Sequence, residues 1–239
     1  MEKSKRIKLI LGLFYLTAIS LFLMYFFSKF TFEEITSYKF IQDNRDYFFD
    51  LKKNNIILLA FIFLILIISW VFAAGFGSPV ALLGGFIFGK WLGTFLVALG
   101  LAVGATFLYI FGNYFLKDII KDKFLIKYKN LELKFKKSEF NFLLIYRLVG
   151  GIPFAISNVL PCMFNVKISN FFFATLIGIF PQIFLMVSLG SGIENIIQKN
   201  ESAPEIKDLL LAPDIYIPIL GFIFLILMTV FLKKIFYKK

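Results

Sequence analysis

Arg147 is the residue that this sequence best equips to bind a ligand within a membrane. It lies in an apolar stretch, residues 141–193, whose only other charged residue is Lys167. Its planar guanidinium presents paired donors that match phosphate oxygens, and an ionisable residue inside a membrane segment indicates a function. Two interpretations remain open: Arg147 faces an internal cavity and binds a phosphate there, or its side chain extends to the headgroups at the inner surface.

Small and polar residues beside predicted helix breaks complete the predicted binding site. The N–H groups at the start of a helix are unpaired and carry a partial positive charge, which suits an anionic group. Inside a membrane such backbone is tolerated only where protein or a water-filled cavity covers it. We predict that the substrate is bound by Arg147, Ser78, Pro79, Gly84, Gly85, Gly150, Gly151, Pro153, Ser157 and Asn158.

The groups that most enzymes and metal sites use are missing from the sequence. There is no histidine, and Cys162 is the single cysteine, so imidazole catalysis, an intrachain disulfide and a CxxC metal site are excluded. No acidic residue occurs between Asp50 and Asp118 or between Glu139 and Glu194, so neither intervening apolar stretch holds paired carboxylates. We therefore predict that the protein is not an enzyme and has no metal ion and no cofactor.

The composition is that of an integral membrane protein. Of 239 residues, 59% are hydrophobic and 17% are charged, and the mean hydropathy is +0.84. The formal net charge is +11. We interpret it as a topology signal and as attraction to anionic lipid headgroups, not as a nucleic-acid surface. The predicted partners are therefore membrane lipids, and whether the chain forms a homo-oligomer is left open.

We divide the sequence into three parts. Residues 1–55 are predicted to hold an N-terminal transmembrane helix, residues 7–27, and a helix lying at the interface. Residues 56–193 form the core. Residues 194–239 are predicted to be an external loop followed by a C-terminal transmembrane helix, residues 215–232.

The distribution of lysines predicts the orientation in the membrane. Residues 117–140 hold eight lysines against four acids, and lysines also flank both ends of the chain. Residues 194–214 instead hold five acids and two lysines. The positive-inside rule therefore places both termini and residues 117–140 in the cytoplasm and residues 194–214 outside.

The first apolar stretch of the core, residues 56–116, must then cross the membrane an odd number of times. Residues 80–90 are too few to span a bilayer, whereas residues 91–116 are long enough. We predict that residues 56–90 form a hairpin that turns at Gly75–Pro79 and leaves on the side from which it entered.

The second apolar stretch repeats this pattern from the opposite face. Residues 141–163, broken at residues 150–153, are predicted to form a second hairpin, and residues 166–190 to cross outward. The predicted fold is thus an all-α polytopic membrane protein with an inverted repeat, each half a re-entrant hairpin followed by one transmembrane helix. The alternative is a plain bundle of six kinked helices.

Several segments of the core also resemble a known family. They are residues 78–89 (Ser-Pro-Val-Ala-Leu-Leu-Gly-Gly-Phe-Ile-Phe-Gly), Tyr146-Arg147-Leu148, Pro153-Phe154, Asn158, and residues 174–181 (Ala-Thr-Leu-Ile-Gly-Ile-Phe-Pro). Together they are similar to the DedA superfamily, also called the VTT-domain or SNARE-associated Golgi protein family. The layout resembles its Tvp-like branch, and the resemblance covers roughly residues 56–193.

This resemblance implies two facing re-entrant hairpins and the movement of lipid across a bilayer. Bacterial members are linked to undecaprenyl phosphate recycling or to phosphatidylethanolamine translocation, and eukaryotic members to phospholipid scrambling. Many members are thought to use the proton motive force through membrane acids and arginines. This sequence keeps Arg147 but lacks acids near the first hairpin. It also departs from the family at Gly150, where relatives often have proline, and at Cys162, where they often have glycine.

The sequence therefore predicts a flippase or scramblase for a phospholipid or a polyprenyl phosphate. An ion or small-solute transporter on the same repeat, and a non-transporting membrane-maintenance or assembly factor, are the alternatives. The bias towards Phe, Ile, Lys and Asn is typical of AT-rich bacterial genomes, so we expect a multi-pass protein of a bacterial plasma membrane.

Overall fold

The computed structural model describes most of the core and less than half of the N-terminal part. The described residues are 38–73, 75–115, 138–149, 153–199 and 211–236, together with Thr17, Ser20, Leu21, Met24, Tyr25 and Ser28. The predicted N-terminal span and the basic loop therefore lie largely outside them, as do residues 200–210 of the predicted acidic loop, whereas residues 194–199 belong to a helix. The chain divides into two compact units, residues 1–54 and residues 55–239.

Within the described residues, all regular structure is helical. The α-helices are α1 (Tyr38–Phe72), α2 (Gly77–Phe88), α3 (Lys90–Phe115), α4 (Glu139–Val149), α5 (Phe154–Val159), α6 (Ile168–Gly178), α7 (Phe180–Lys199) and α8 (Pro213–Phe236), and one 3-10 helix spans Leu160–Phe164. In the part of the chain that the structure describes, three helical segments are long and apolar enough to cross a membrane: Tyr47–Phe72, Lys90–Phe115 and Phe180–Lys199. The prediction of an all-α membrane protein is confirmed.

Helix α1 is interrupted at Asn55, the first residue of the second unit. Asn55 has φ −158° and ψ 81°, which is not helical. Its side-chain Oδ1 accepts a hydrogen bond from the Leu58 N–H at 3.0 Å, so Asn55 caps the segment that follows. The first unit contributes the part of α1 before this break, where the guanidinium of Arg45 lies 4.7 Å from the ring centroid of Phe49.

In the second unit, the turn between α1 and α2 depends on a glycine. A Cβ atom at Gly75 would overlap the indole of Trp70, whose Nε1 donates a hydrogen bond to the Phe76 carbonyl at 2.8 Å. The predicted turn at Gly75–Pro79 is thus too long, because Gly77, Ser78 and Pro79 form the first turn of α2. Proline is tolerated there, since the first N–H groups of a helix have no partner within it.

Helix α2 is short and packs with backbone contact against α3 and α7. Its 12 residues extend about 18 Å, less than the hydrocarbon thickness of about 30 Å. A Cβ at Gly85 would overlap the Val187 carbonyl oxygen, and one at Gly190 would overlap that of Leu82. These glycines bring the axes of α2 and α7 closer than any larger residue would allow.

Two glycines make matching contacts in the two halves of the core. On α3, a Cβ at Gly104 would lie 2.8 Å from Val71 Cβ and 3.1 Å from the Ile68 oxygen. On α6, a Cβ at Gly178 would lie 2.5 Å from Arg147 Cβ and 3.1 Å from the Leu144 oxygen. In both cases a glycine therefore sits against a residue pair spaced i, i+3 near the C-terminal end of an earlier helix, α1 or α4. The re-entrant course and the inverted relation of the halves stay predictions.

The predicted single crossing over residues 166–190 is two helices. Helix α6 ends at Gly178 and α7 begins at Phe180. Hydrogen bonds from Ile179 N–H to the Thr175 oxygen and from Ile183 N–H to the Ile179 oxygen carry the chain across the interruption. Pro181 follows at once and lacks an N–H group, which accounts for a break at this point.

Candidate functional site

Arg147 lies near the end of α4, inside the protein. Only 4% of its surface is exposed. The absence of a side chain at Gly178 lets α6 approach α4 at the level of the Arg147 Cβ. The interpretation that Arg147 extends to the inner membrane surface is therefore wrong, because its side chain is enclosed by neighbouring helices.

Three neutral side chains accept hydrogen bonds from the Arg147 guanidinium. Nη1 donates to Ser157 Oγ at 2.6 Å, Nη2 to Asn158 Oδ1 at 2.7 Å, and Nε to Thr175 Oγ1 at 3.2 Å. Ser157 in turn donates to the Phe154 carbonyl at 2.7 Å, so its hydroxyl oxygen is oriented to accept. All three partners are buried. We call Arg147, Ser157, Asn158 and Thr175 the Arg147 cluster.

Aromatic rings surround the cluster. The Arg147 Cζ lies 5.2 Å from the ring centroid of Phe171, 5.5 Å from that of Phe154 and 5.9 Å from that of Tyr146. Phe171 also stacks on Tyr109, with centroids 4.5 Å apart and planes 15° apart. Ring faces attract a cation, and rings also exclude water, which strengthens electrostatic interactions inside the site.

No carboxylate contacts the guanidinium among the residues that the structure describes. Glu139, on the same helix, accepts hydrogen bonds from Lys167 N–H at 3.3 Å and from Asn170 Nδ2 at 2.9 Å. Burying a charge is costly unless it is paired, and polar neutral groups offset only part of that cost. The Arg147 cluster is thus a buried positive charge held by neutral acceptors.

Donors without a partner in the described part of the chain lie in the Arg147 cluster and at the neighbouring Tyr146. A guanidinium has five N–H groups, and the three hydrogen bonds leave one N–H on each of Nη1 and Nη2. Asn158 Nδ2 and the Tyr146 hydroxyl are buried and have no hydrogen-bond partner. Unpartnered buried donors are rare in native proteins and indicate a site for a ligand or an ordered water.

Only some of the predicted site residues come together. Ser157 and Asn158 contact Arg147, and Pro153 precedes α5 as an exposed N-cap. Ser78 and Pro79 are exposed in the first turn of α2, where no described contact joins them to the cluster.

The four predicted glycines divide into two pairs. Gly84 and Gly85 are buried at helix contacts, Gly84 beside Val97 and Gly85 against the backbone of α7. Gly150 and Gly151 lie outside the described residues.

Helices α6 and α7 contribute residues to the site that are not among those predicted from the sequence. Thr175 and Phe171 contact Arg147, and Gln182 Nε2 donates to the carbonyls of Arg147 and Leu148 at 3.3 and 3.1 Å. Together with Gly178 they follow a spacing of four, three and four residues. That spacing marks one face of α6 for the first three residues and is continued by Gln182 on α7, and it is the signal that would have identified them.

The part of the chain that contains this cluster matches a known protein family. Residues 75–192, from the turn before α2 to most of α7, match the VTT domain family. The chain is a VTT-domain protein. The predicted family is thereby confirmed, whereas its Tvp-like branch stays a prediction. The VTT domain includes Arg147 and all three of its hydrogen-bond partners.

The relatives of this VTT-domain protein come from bacteria and eukaryotes. It is 25% identical over 137 residues to the Transmembrane protein 41 homolog of Caenorhabditis elegans, covering 54% of this chain and 56% of that one. It is 30% identical over 114 residues to YqeD of Bacillus subtilis (strain 168), covering 47% and 55%. A Transmembrane protein 41 homolog of Dictyostelium discoideum is 29% identical over 137 residues, covering 54% and 41%. The chain thus spans about half the length of these relatives, and no solved structure matches it significantly.

Proposed function

We propose that this VTT-domain protein moves lipids with an anionic, phosphate-containing headgroup between the leaflets of the membrane, as a flippase or scramblase. The observation that carries the proposal is the buried guanidinium of Arg147, which has three neutral acceptors and no described carboxylate partner. A phosphate would provide the missing negative charge and would accept hydrogen bonds from the donors that have no partner.

The proposed route passes between two re-entrant hairpins, α1 with α2 and α4 with α5. The short α2 and the shorter α5, six residues long, suit arms that turn back inside the membrane. The matching contacts of Gly104 and Gly178 support a common plan for the two halves. The headgroup would pass near the cluster while the acyl chains stay in the bilayer.

Few other buried polar groups compete for this role. The buried polar or charged side chains of the described residues are Thr94, Arg147, Ser157, Asn158, Thr175, Ser188 and Glu194. Thr94 and Ser188 bond to carbonyl groups of their own helices, and four of the others form the Arg147 cluster. Such a short set of polar groups favours a local headgroup site over a continuous polar path for solutes.

We further propose a location in a bacterial plasma membrane, with both termini in the cytoplasm. The basic residues 117–140 and the acidic residues 194–214 support this orientation, and the similarity to a Bacillus subtilis protein supports the origin.

Reconstitution into liposomes tests the proposed function. The purified protein is placed in vesicles whose fluorescent phospholipid is accessible to a quencher only from the outer leaflet, with an entrapped dye reporting leakage. We expect exchange of the lipid without loss of the dye. Loss of a small solute would instead support a solute transporter, and the absence of both would support a non-transporting role.

A further inference from the structure

The hydrogen bond from Arg147 fixes the direction of the Asn158 amide. A guanidinium only donates, so the Asn158 atom 2.7 Å from Nη2 is the carbonyl oxygen Oδ1. The amide nitrogen Nδ2 must then point away from that bond, and it has no partner. Asn158 is completely buried, so water from the surface does not satisfy its two N–H groups.

The charges of the site limit the ligand as strongly as its donors do. The cluster has one formal positive charge, from Arg147, and no negative charge, while Glu139 is bonded elsewhere. Its free groups, Asn158 Nδ2 and one N–H on each terminal nitrogen of Arg147, are donors. In a buried site a ligand with one negative charge balances Arg147, whereas a second negative charge stays uncompensated and is costly.

This balance separates the two kinds of lipid phosphate. A phosphodiester carries one negative charge. A phosphate monoester carries about 1.5 to 2 negative charges at pH 7, because its second pKa is about 6. We propose that the Arg147 cluster selects phosphodiester headgroups over phosphate monoesters, and that Asn158 Nδ2 donates a hydrogen bond to a phosphodiester oxygen. This proposal rests on the proposed function. The substrate class is then a glycerophospholipid and not a polyprenyl monophosphate.

Three lipids labelled on an acyl chain test the selection in vesicles of one composition. They are phosphatidylglycerol, a phosphodiester; phosphatidic acid, a phosphate monoester; and glucosylceramide, which has no phosphate. At pH 8.5, after subtraction of the rate in protein-free vesicles, we expect phosphatidylglycerol to move at least about tenfold faster than the other two, equivalent to about 1.4 kcal/mol. At pH 5 the monoester is mostly a monoanion, and its rate should approach that of phosphatidylglycerol.

The failures of the two proposals are distinguishable. If phosphatidic acid moves as fast as phosphatidylglycerol at pH 8.5, or if glucosylceramide does, lipid movement stands and the selection is overturned. If none of the three lipids moves, the proposed function itself is wrong, and the selection falls with it.

Asn158→Asp gives an independent test with a second readout. A carboxylate at this position neutralises Arg147 and repels a phosphate, so movement of phosphatidylglycerol should fall at least about tenfold, while the thermal unfolding midpoint stays the same or rises. Full activity in this variant would overturn the role of Asn158. Asn158→Ser, which removes the amide nitrogen and shortens the side chain, should lose at least about fivefold, the effect of one neutral hydrogen bond. Unchanged movement in Asn158→Ser would likewise contradict a donor role for Nδ2.

Discussion

The directed hydrogen bonds of Arg147 distinguish it from a simple positive charge. Its three nitrogens donate to three different side chains on α5 and α6, and a lysine ammonium cannot reproduce this planar arrangement. We expect Arg147→Lys and Arg147→Ala each to reduce lipid movement about ten- to a hundredfold, the effect of losing about 1.5–3 kcal/mol of charge-assisted bonding. The measurement is lipid exchange in vesicles with matched amounts of protein.

The control for this pair is Lys90→Arg. Lys90 begins α3 and is not one of the buried residues, so this exchange should leave lipid movement close to the wild-type rate. If Arg147→Lys also moves lipid at that rate, any cation at the position suffices, and the directed hydrogen bonds have no part in transport.

Thr175 tests the part of the site contributed by α6. Its hydroxyl accepts from Arg147 Nε and is 1% exposed. Thr175→Val has nearly the same shape but leaves a buried N–H unpaired, which costs about 1–3 kcal/mol. We expect a lower thermal unfolding midpoint and slower lipid movement. Thr175→Ser keeps the oxygen and should retain most of both properties. If Thr175→Val also kept the wild-type midpoint and rate, the hydrogen bond from Nε would have no part in either property.

The chemistry of the site could be predicted from the sequence only in part. Arg147, Ser157 and Asn158 are polar residues in an apolar stretch, so their types alone set them apart. Threonine and phenylalanine are common in membrane helices, so the types of Thr175 and Phe171 do not set them apart. Their role depends on which face of α6 contacts α4. The small residue at Gly178 decides that packing, and its partner helix is not encoded in the local sequence.

At the scale of the elements, glycines set how closely the helices pack. Gly85→Ala and Gly190→Ala each place a methyl group on a backbone carbonyl of the facing helix. A carbonyl cannot move away like a side chain, so we expect a loss of about 1–3 kcal/mol or more in stability. The lower unfolding midpoint would be measured in detergent or in vesicles.

Gly77→Ala is the matched control on the same helix. The nearest atom to a Cβ at Gly77 is a Leu101 methyl at 3.5 Å, an ordinary contact distance. This variant should unfold at the wild-type temperature or slightly above it, because alanine favours the helix. A similar loss in Gly77→Ala and Gly85→Ala would indicate a general intolerance of α2 and not a specific overlap.

The sequence predicts where the helices break more closely than it predicts which residues belong to the helix on either side. Glycine and proline mark the ends of α1 and α4 correctly. Gly178 and Pro181 also flank the interruption at Ile179, although the sequence predicts a single crossing over residues 166–190. The structure differs where proline joins a helix instead of ending it, as Pro79 does within the first turn of α2. The two kinds of proline look the same in the sequence. A proline in the first turn replaces an N–H that has no partner within the helix, whereas a proline farther along removes a helical hydrogen bond.

At the scale of the whole molecule, the charge distribution predicts which side each loop faces. With Cys162 replaced by serine, single cysteines at Lys129 and Ser202 can be labelled from outside intact cells. We expect a membrane-impermeant reagent to label position 202 and not position 129. The reverse pattern would contradict cytoplasmic placement of residues 117–140 and with it the inverted repeat.

The proposed hairpins predict that two distant segments reach similar depth. Ser78 and Ile156 are both exposed near the starts of α2 and α5, so spin labels there should not disturb the Arg147 cluster. We expect depth-dependent quenching to place both labels near the bilayer midplane. Labels at headgroup depth on opposite faces would instead support six ordinary crossings.

The matching contacts of Gly104 and Gly178 have a consequence for the history of the chain. The two glycines make similar close contacts, yet the side chain that Gly104 contacts is Val71 and the side chain that Gly178 contacts is Arg147. If the two halves descend from one duplicated segment, their functions have diverged at this position. One half has a purely apolar contact there, and the other has the charged residue. A second buried guanidinium would add another large desolvation cost. With the charge confined to α4, the contact between α1 and α3 at Val71 and Gly104 stays purely apolar.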